Sequence, residues 1–225
     1  MSRTRNLSTG NIGEHFLHLA VPAGIGMLFT TLYNVVDVFF AGLIGTDAQA
    51  GLAISFQAFF ILITFGFGLS AAMTALVGNA IGAKDDSAAC QLAVRGLGFG
   101  ALISALLIIV AIWLGPFLIK LVSTEGAYRD AGTRYFTVLL AAIPSFVMSF
   151  GINGLLQSQG DTVSMQRAQI GAFFANICLN PLLVFGLPGV WGGLGFDGIA
   201  VSTVISQTGV MIYVGRQLLK TELMA

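Results

Sequence analysis

The chain has 225 residues, with ten Lys/Arg balancing ten Asp/Glu, so the charge balance points to no nucleic-acid partner. Only 9% of residues are charged and 56% are hydrophobic, with a mean hydropathy of +0.89. A soluble domain carries about 25% charged residues, so a soluble fold is excluded and the lipid bilayer becomes the partner of the surface. The charges also cluster: none falls in Ala48–Ala83, Gly96–Ile119, Tyr135–Gly160 or Ala168–Phe196. Each run reaches or exceeds the ~20 residues that cross a hydrocarbon core as a helix. The expected fold class is an all-α polytopic membrane protein with six transmembrane helices.

Residues 1–15 read as an N-terminal segment. Arg3 and Arg5 ahead of an apolar run resemble a signal peptide, but Glu14, His15 and His18 interrupt it and further spans follow. The first span is therefore read as retained, with the two histidines at its mouth. The first helix is expected at 16–42. Asp37 is the only charge in LAVPAGIGMLFTTLYNVVDVFFAGLI (Leu19–Ile44). A carboxylate at that depth costs about 2.5–3.5 kcal/mol on insertion scales, and such a residue marks a functional site. Asn34 at i−3, Tyr33 at i−4 and Thr30 at i−7 extend its face, so the stripe must look into the bundle or a water cavity.

The turn Gly45–Asp47 leads into a second helix at 50–81, and Gly82–Asp86 into a third at 88–114. Gly66, Gly68 and Ser70 on the second, and GLGFG (Gly96–Gly100) on the third, provide small faces for close packing. Pro116–Arg134 mixes apolar residues with charge and reads as an interfacial amphipathic helix running into the fourth span, 128–156. Gly160-Asp161 turns the chain into the fifth helix, 165–186. Here Asn176 and Asn180 lie at i and i+4, and Pro181 has no N–H and crowds the carbonyl of Ile177. Two readings stay open: interhelical hydrogen bonding at a proline kink, or an oxygen-rich cation or proton site shared with Asp37. Pro188–Gly195 connects to the sixth helix, 199–219, where the hydroxyls of Ser202 and Thr203 are further candidates. Residues 220–225 form a C-terminal tail.

Pro22 and Pro144 mark kinks or helix starts. Gln57, Asn79, Asn153 and Gln157 read as interhelical glue or end residues. Cys90, in a polar loop, and Cys178, mid-span, are too few for a disulfide framework and read as small buried residues. With the N-terminus inside, seven cations (Arg3, Arg5, Lys84, Arg95, Arg167, Arg216, Lys220) face the cytoplasm against three outside (Lys120, Arg129, Arg134). Both termini are thus expected to be cytoplasmic. No phosphate loop, metalloprotease motif, selectivity-filter sequence or membrane-depth histidine base is present, so no enzyme, metal centre or cofactor is expected.

Four motifs, in order along the chain, resemble the multidrug and toxic compound extrusion (MATE) family. They are Pro22 followed by NVVDVFFAGLIG (Asn34–Gly45), VGNAIGA (Val77–Ala83), QSQGD (Gln157–Asp161) with Met165, and NICLNPLL (Asn176–Leu183). The resemblance runs from about Gly13 to Leu219. It implies one MATE-like lobe, similar to the N-terminal half of a two-lobe antiporter in a bacterial inner membrane. Such a protein exports organic cations or drugs against inward protons or sodium. It also implies a coupling role for Asp37, with Asn176 and Thr203 at matching positions. Asn180 falls where many members have an aspartate. Proton or sodium uptake at Asp37 would draw Asn176 and Asn180 toward the first helix and bend it. Three organisations are compatible: a truncated or fragmentary transporter, a half-transporter pairing as a parallel homodimer, or a lobe that has lost transport and serves as a scaffold. A lipid-linked precursor flippase of the same superfamily is the runner-up.

Overall fold

The computed structural model describes residues 12–187 and 189–224. Seven helices follow in order: α1 (Ile12–Ile44), α2 (Thr46–Gly82), α3 (Asp86–Val122), α4 (Ala127–Leu139), α5 (Ile143–Ser158), α6 (Val163–Phe185) and α7 (Asp197–Leu218). A 3-10 turn at Leu140–Ala142 joins α4 to α5, so the pair counts as one span and six spans result. Among the described residues there is no strand, only an isolated bridge between Leu187 and Trp191. The protein is a multi-pass helical membrane protein, and its surface is apolar, as lipid requires: Met27 is 74% exposed and Trp113 83%.

Local chemistry explains where the helices start and stop. Asp85 caps α3 by accepting the Ala88 N–H at 2.9 Å, and the Asp161 carboxylate accepts the N–H and hydroxyl of Ser164 at the start of α6. Pro144 cannot donate to Leu140, and its ring crowds that carbonyl, which breaks the fourth span into α4 and α5. The loop after α6 depends on glycine. Gly186 and Gly193 both have φ near +77° and press backbone to backbone, so a Cβ on either would strike the other's main chain. That fold-back lets Leu194 and Gly195 donate to the otherwise orphaned carbonyls of Leu183 and Val184, at 2.7 and 3.0 Å.

Several elements differ from the sequence reading. Pro116–Arg134 is not one interfacial helix. α3 continues through Pro116 to Val122, and the chain breaks at 123–126 before α4 starts. Arg129 explains the break: it donates to the carbonyl and hydroxyl of Ser123, capping the end of α3. Cys90 sits in the first turns of α3 rather than in a loop, and both cysteines are exposed rather than buried. Residues 12–15 of the expected N-terminal segment belong to α1, whereas residues 1–11 and the side chains of His15 and His18 lie outside the described residues.

Small residues bring the helices together as the glycine content suggests, except at Gly68 and Gly98, where a Cβ would meet nothing within 4 Å. α2 packs on α5 and α4, α1 on α6, and α6 on α7. Gly96 and Gly100 of α3 accept Met73 and Leu69 of α2, and Gly66 accepts Phe150. Ser55 Oγ lies 2.6 and 2.7 Å from the carbonyls of Gly51 and Gly132, tying α2 to α4. At the α2–α5 crossing, a Cβ on Gly154 would strike the Ser70 carbonyl, and Thr74 Oγ1 donates to Gly154 O at 3.2 Å. Gly154→Val is therefore expected to destabilise the lobe by about 1–3 kcal/mol, the usual cost of overpacking, read as a lower Tm in detergent. Gly98→Val, whose Cβ meets nothing within 4 Å, is the neutral comparison.

Candidate functional site

Three helices meet at Asp37. On α6 every fourth residue is buried (Ser164, Ala168, Ala172, Asn176, Asn180, Val184), a straight ridge of the kind that packs closely against a neighbour. α1 turns Tyr33, Asp37 and Ala41 inward, and α7 turns Ser202, Thr203 and Ser206. Gly198 lets the start of α7 press on the Leu183 carbonyl of α6, which sets the height of Thr203.

The Asp37 carboxylate is 5% exposed, and Asn176 and Asn180 are fully buried. Both amides donate to one oxygen, Oδ1: Asn176 Nδ2 at 2.8 Å and Asn180 Nδ2 at 2.9 Å. Asn180 Nδ2 also donates to Asn176 Oδ1 at 3.1 Å, and Asn176 Nδ2 approaches Ser202 Oγ at 3.5 Å. Asp37 Oδ2 receives only Thr203 Oγ1, at 3.4 Å, and that single proton is shared with Ile199 O at 3.1 Å. No Lys or Arg among the described residues pairs with Asp37. The carboxylate is thus held by neutral donors, with one oxygen well satisfied and the other lightly held.

Further oxygens crowd the cluster without partners. Asn180 Oδ1, Tyr33 Oη and Ser206 Oγ are buried with no hydrogen-bond partner, Tyr33 lying beside Thr203, Ser206 and Asn176. An asparagine can present Nδ2 to a bare carboxylate or, after a half-turn of the amide, Oδ1 to a cation. The set can therefore serve either a proton or a hard monovalent ion. Among the described residues no group of three His, Cys, Asp or Glu has the makings of a metal centre.

The structure brings together Asp37, Asn176, Asn180, Thr203 and Tyr33. It does not bring in Thr30 or Asn34. Thr30 is exposed and donates to Gly26 O, and Asn34 donates to Thr30 O, both within their own helix. Two residues went unnoticed in the sequence. Ser206 lies one turn beyond Thr203. Tyr135 on α4 is buried, stacks on Phe196 at 4.9 Å and stands beside Thr203 within electrostatic reach of Asp37. An aromatic just after Arg134 reads as an interface anchor, so only the tertiary fold reveals it.

The MatE family profile matches residues 22–182. The chain belongs to the MATE family, whose members are transporters and not enzymes. It is 28% identical over 204 residues to the probable multidrug resistance protein YoeA of Bacillus subtilis, a match covering 90% of this chain and 44% of that protein. It is 27% identical over 207 residues to an FAD transporter of Shewanella oneidensis, covering 92% of this chain and 45% of that one. A solved MOP-superfamily transporter from Pyrococcus furiosus superposes with a TM-score of 0.85 at 25% identity, covering 94% of this chain and 46% of its own. That protein is described as having a binding pocket of reversed polarity that suggests a different function. This MATE chain spans about half the length of the relatives it matches.

Proposed function

We propose that this MATE chain supplies the ion-coupling lobe of an efflux antiporter that exports organic cations or drugs in exchange for protons or sodium. The observation that carries the reading is Asp37, a buried carboxylate with no cationic partner among the described residues, gripped by neutral donors from α6 and α7. Such a charge is expensive in a bilayer unless something neutralises it in part of the cycle. A proton or ion enters at the lightly held Oδ2. Asn176 and Asn180, already hydrogen-bonded to Asp37, then turn their amides in response, which shifts α6 and α7 against α1 and reshapes the lobe in an alternating-access cycle.

Export needs a second six-helix lobe to enclose the substrate. It comes from the remainder of a longer transporter or from a second copy in a parallel homodimer. The membrane is the inner cell membrane, with both termini in the cytoplasm, as the Lys/Arg bias favours. A flippase for phosphate-bearing lipid precursors is disfavoured, because none of the described Lys or Arg residues is buried.

The test is ethidium efflux from vesicles under an imposed proton or sodium gradient, paired with crosslinking in native membranes. Gradient-driven efflux with a dimeric crosslink identifies the half-transporter, and efflux only when a second lobe is co-expressed identifies the split one. No gradient-driven efflux in either arrangement overturns the reading in favour of a scaffold.

A further inference from the structure

We propose that the groove between α2 and α3 binds an anionic phospholipid, with its phosphate on Arg95 and an acyl chain along the groove floor. The groove has a volume of ≈ 630 Å³, and no residue of α1, α6 or α7 lines it. Its walls are apolar (Phe65, Gly68, Leu76 and Phe99 among them), with Arg95 as the one charge.

Depth identifies the occupant. The uncharged run Gly96–Ile119 lies within α3 and is about 36 Å long at 1.5 Å per residue. A hydrocarbon core is ~30 Å thick, so Arg95 and Lys120 fall at its two interfaces, level with phosphate headgroups. Met73 packs at Gly96 and Leu69 at Gly100, so the helices run antiparallel, and Phe65 lies about 12 Å deeper than Arg95. The groove therefore starts at headgroup level and runs most of the way through one leaflet, along the path of an acyl chain.

Charge complementarity points the same way. Arg95 is exposed and has no hydrogen-bond or ion-pair partner among the described residues. A guanidinium matches a phosphate through paired N–H donors, and basic pockets between membrane helices hold anionic headgroups in this manner. At the floor, Gly68 leaves the space open: a Cβ there would meet nothing within 4 Å. A side chain at 68 would fill the groove without straining α2, and Leu is a better helix former than Gly.

The test uses the full chain purified in detergent and titrated with phosphatidylglycerol or phosphatidylcholine. Retained lipid is read by native mass spectrometry and Tm by thermal unfolding. Phosphatidylglycerol is expected to bind about ten-fold more tightly than phosphatidylcholine, the scale of one charge-assisted contact. Arg95→Gln should erase that preference and Arg95→Lys retain part of it. Gly68→Leu should weaken both lipids, and Lys120→Gln at the other interface should change neither. Equal binding of the two lipids, or undiminished phosphatidylglycerol binding in Gly68→Leu, overturns the proposal. So does a crosslink across the groove to a second copy of the chain in the presence of lipid.

Discussion

Asp37→Asn is expected to reduce gradient-driven efflux to background while the lobe stays folded. The two side chains are the same shape. The new Oδ1 can still accept from Asn176 and Asn180, and the new Nδ2 takes the place of the lightly held Oδ2 opposite Thr203 Oγ1, which can turn to accept. Losing a buried charge that has no cationic partner costs the fold little, so Tm should match or exceed that of the parent. What the variant removes is the negative charge to which the proposed proton or cation would bind. Asp37→Leu separates the two roles. It also removes the charge but takes from each of two fully buried amides the partner of one N–H, at about 1–3 kcal/mol for each unsatisfied group, so it should lose both efflux and Tm. Efflux by Asp37→Asn at the parent rate, with equal expression, would remove Asp37 from the transport cycle.

That Asp37, Asn176 and Asn180 lie together was legible in the chain. Lipid makes a polar side chain costly, so Asp37, Asn176 and Asn180 stand out against apolar neighbours, and the i, i+4 spacing puts the two amides on one face. Asn34 and Thr30 stand outside the Asp37 cluster. Depth shows that a polar group needs a partner but not which one, and these two satisfy themselves on their own helix backbone. Tyr135 and Ser206 were invisible for the opposite reason. A phenol near a span end and a hydroxyl on a helix are ordinary in sequence, and only the packing of α4 and α7 brings them to the cluster.

Helix ends followed a similar division. Gly45, Asp85 and Asp161 announce their turns because the chemistry is local. The end of α3 at Val122 is capped by Arg129 reaching back six residues to Ser123, a contact that hydropathy does not report.

Asn180→Asp is the converse experiment, placing a second acid beside Asp37 at the position where the family resemblance implies an aspartate. Asn180 Nδ2 stands 2.9 Å from Asp37 Oδ1 and 3.1 Å from Asn176 Oδ1, so a carboxylate there replaces two donated hydrogen bonds with a like charge in contact. Two buried carboxylates so close cannot both stay bare, and the pair demands a bound cation or a shared proton. The variant should therefore be less stable than its parent in sodium-free buffer and recover on sodium addition. A ligand at about 100 times its Kd stabilises by about 2.7 kcal/mol, which corresponds to roughly 5–10 °C for a chain of this size. The parent, with one carboxylate and two amides already satisfied by it, should respond by a smaller shift. Potassium at equal ionic strength controls for screening, because a non-specific effect would appear equally with both salts. If neither sodium nor a proton restores the variant, the cluster is a structural polar core and not an ion site. A sodium-specific rescue would instead place the cation at positions 37 and 180, in a cluster where Asn180 Oδ1 and Tyr33 Oη are buried without partners.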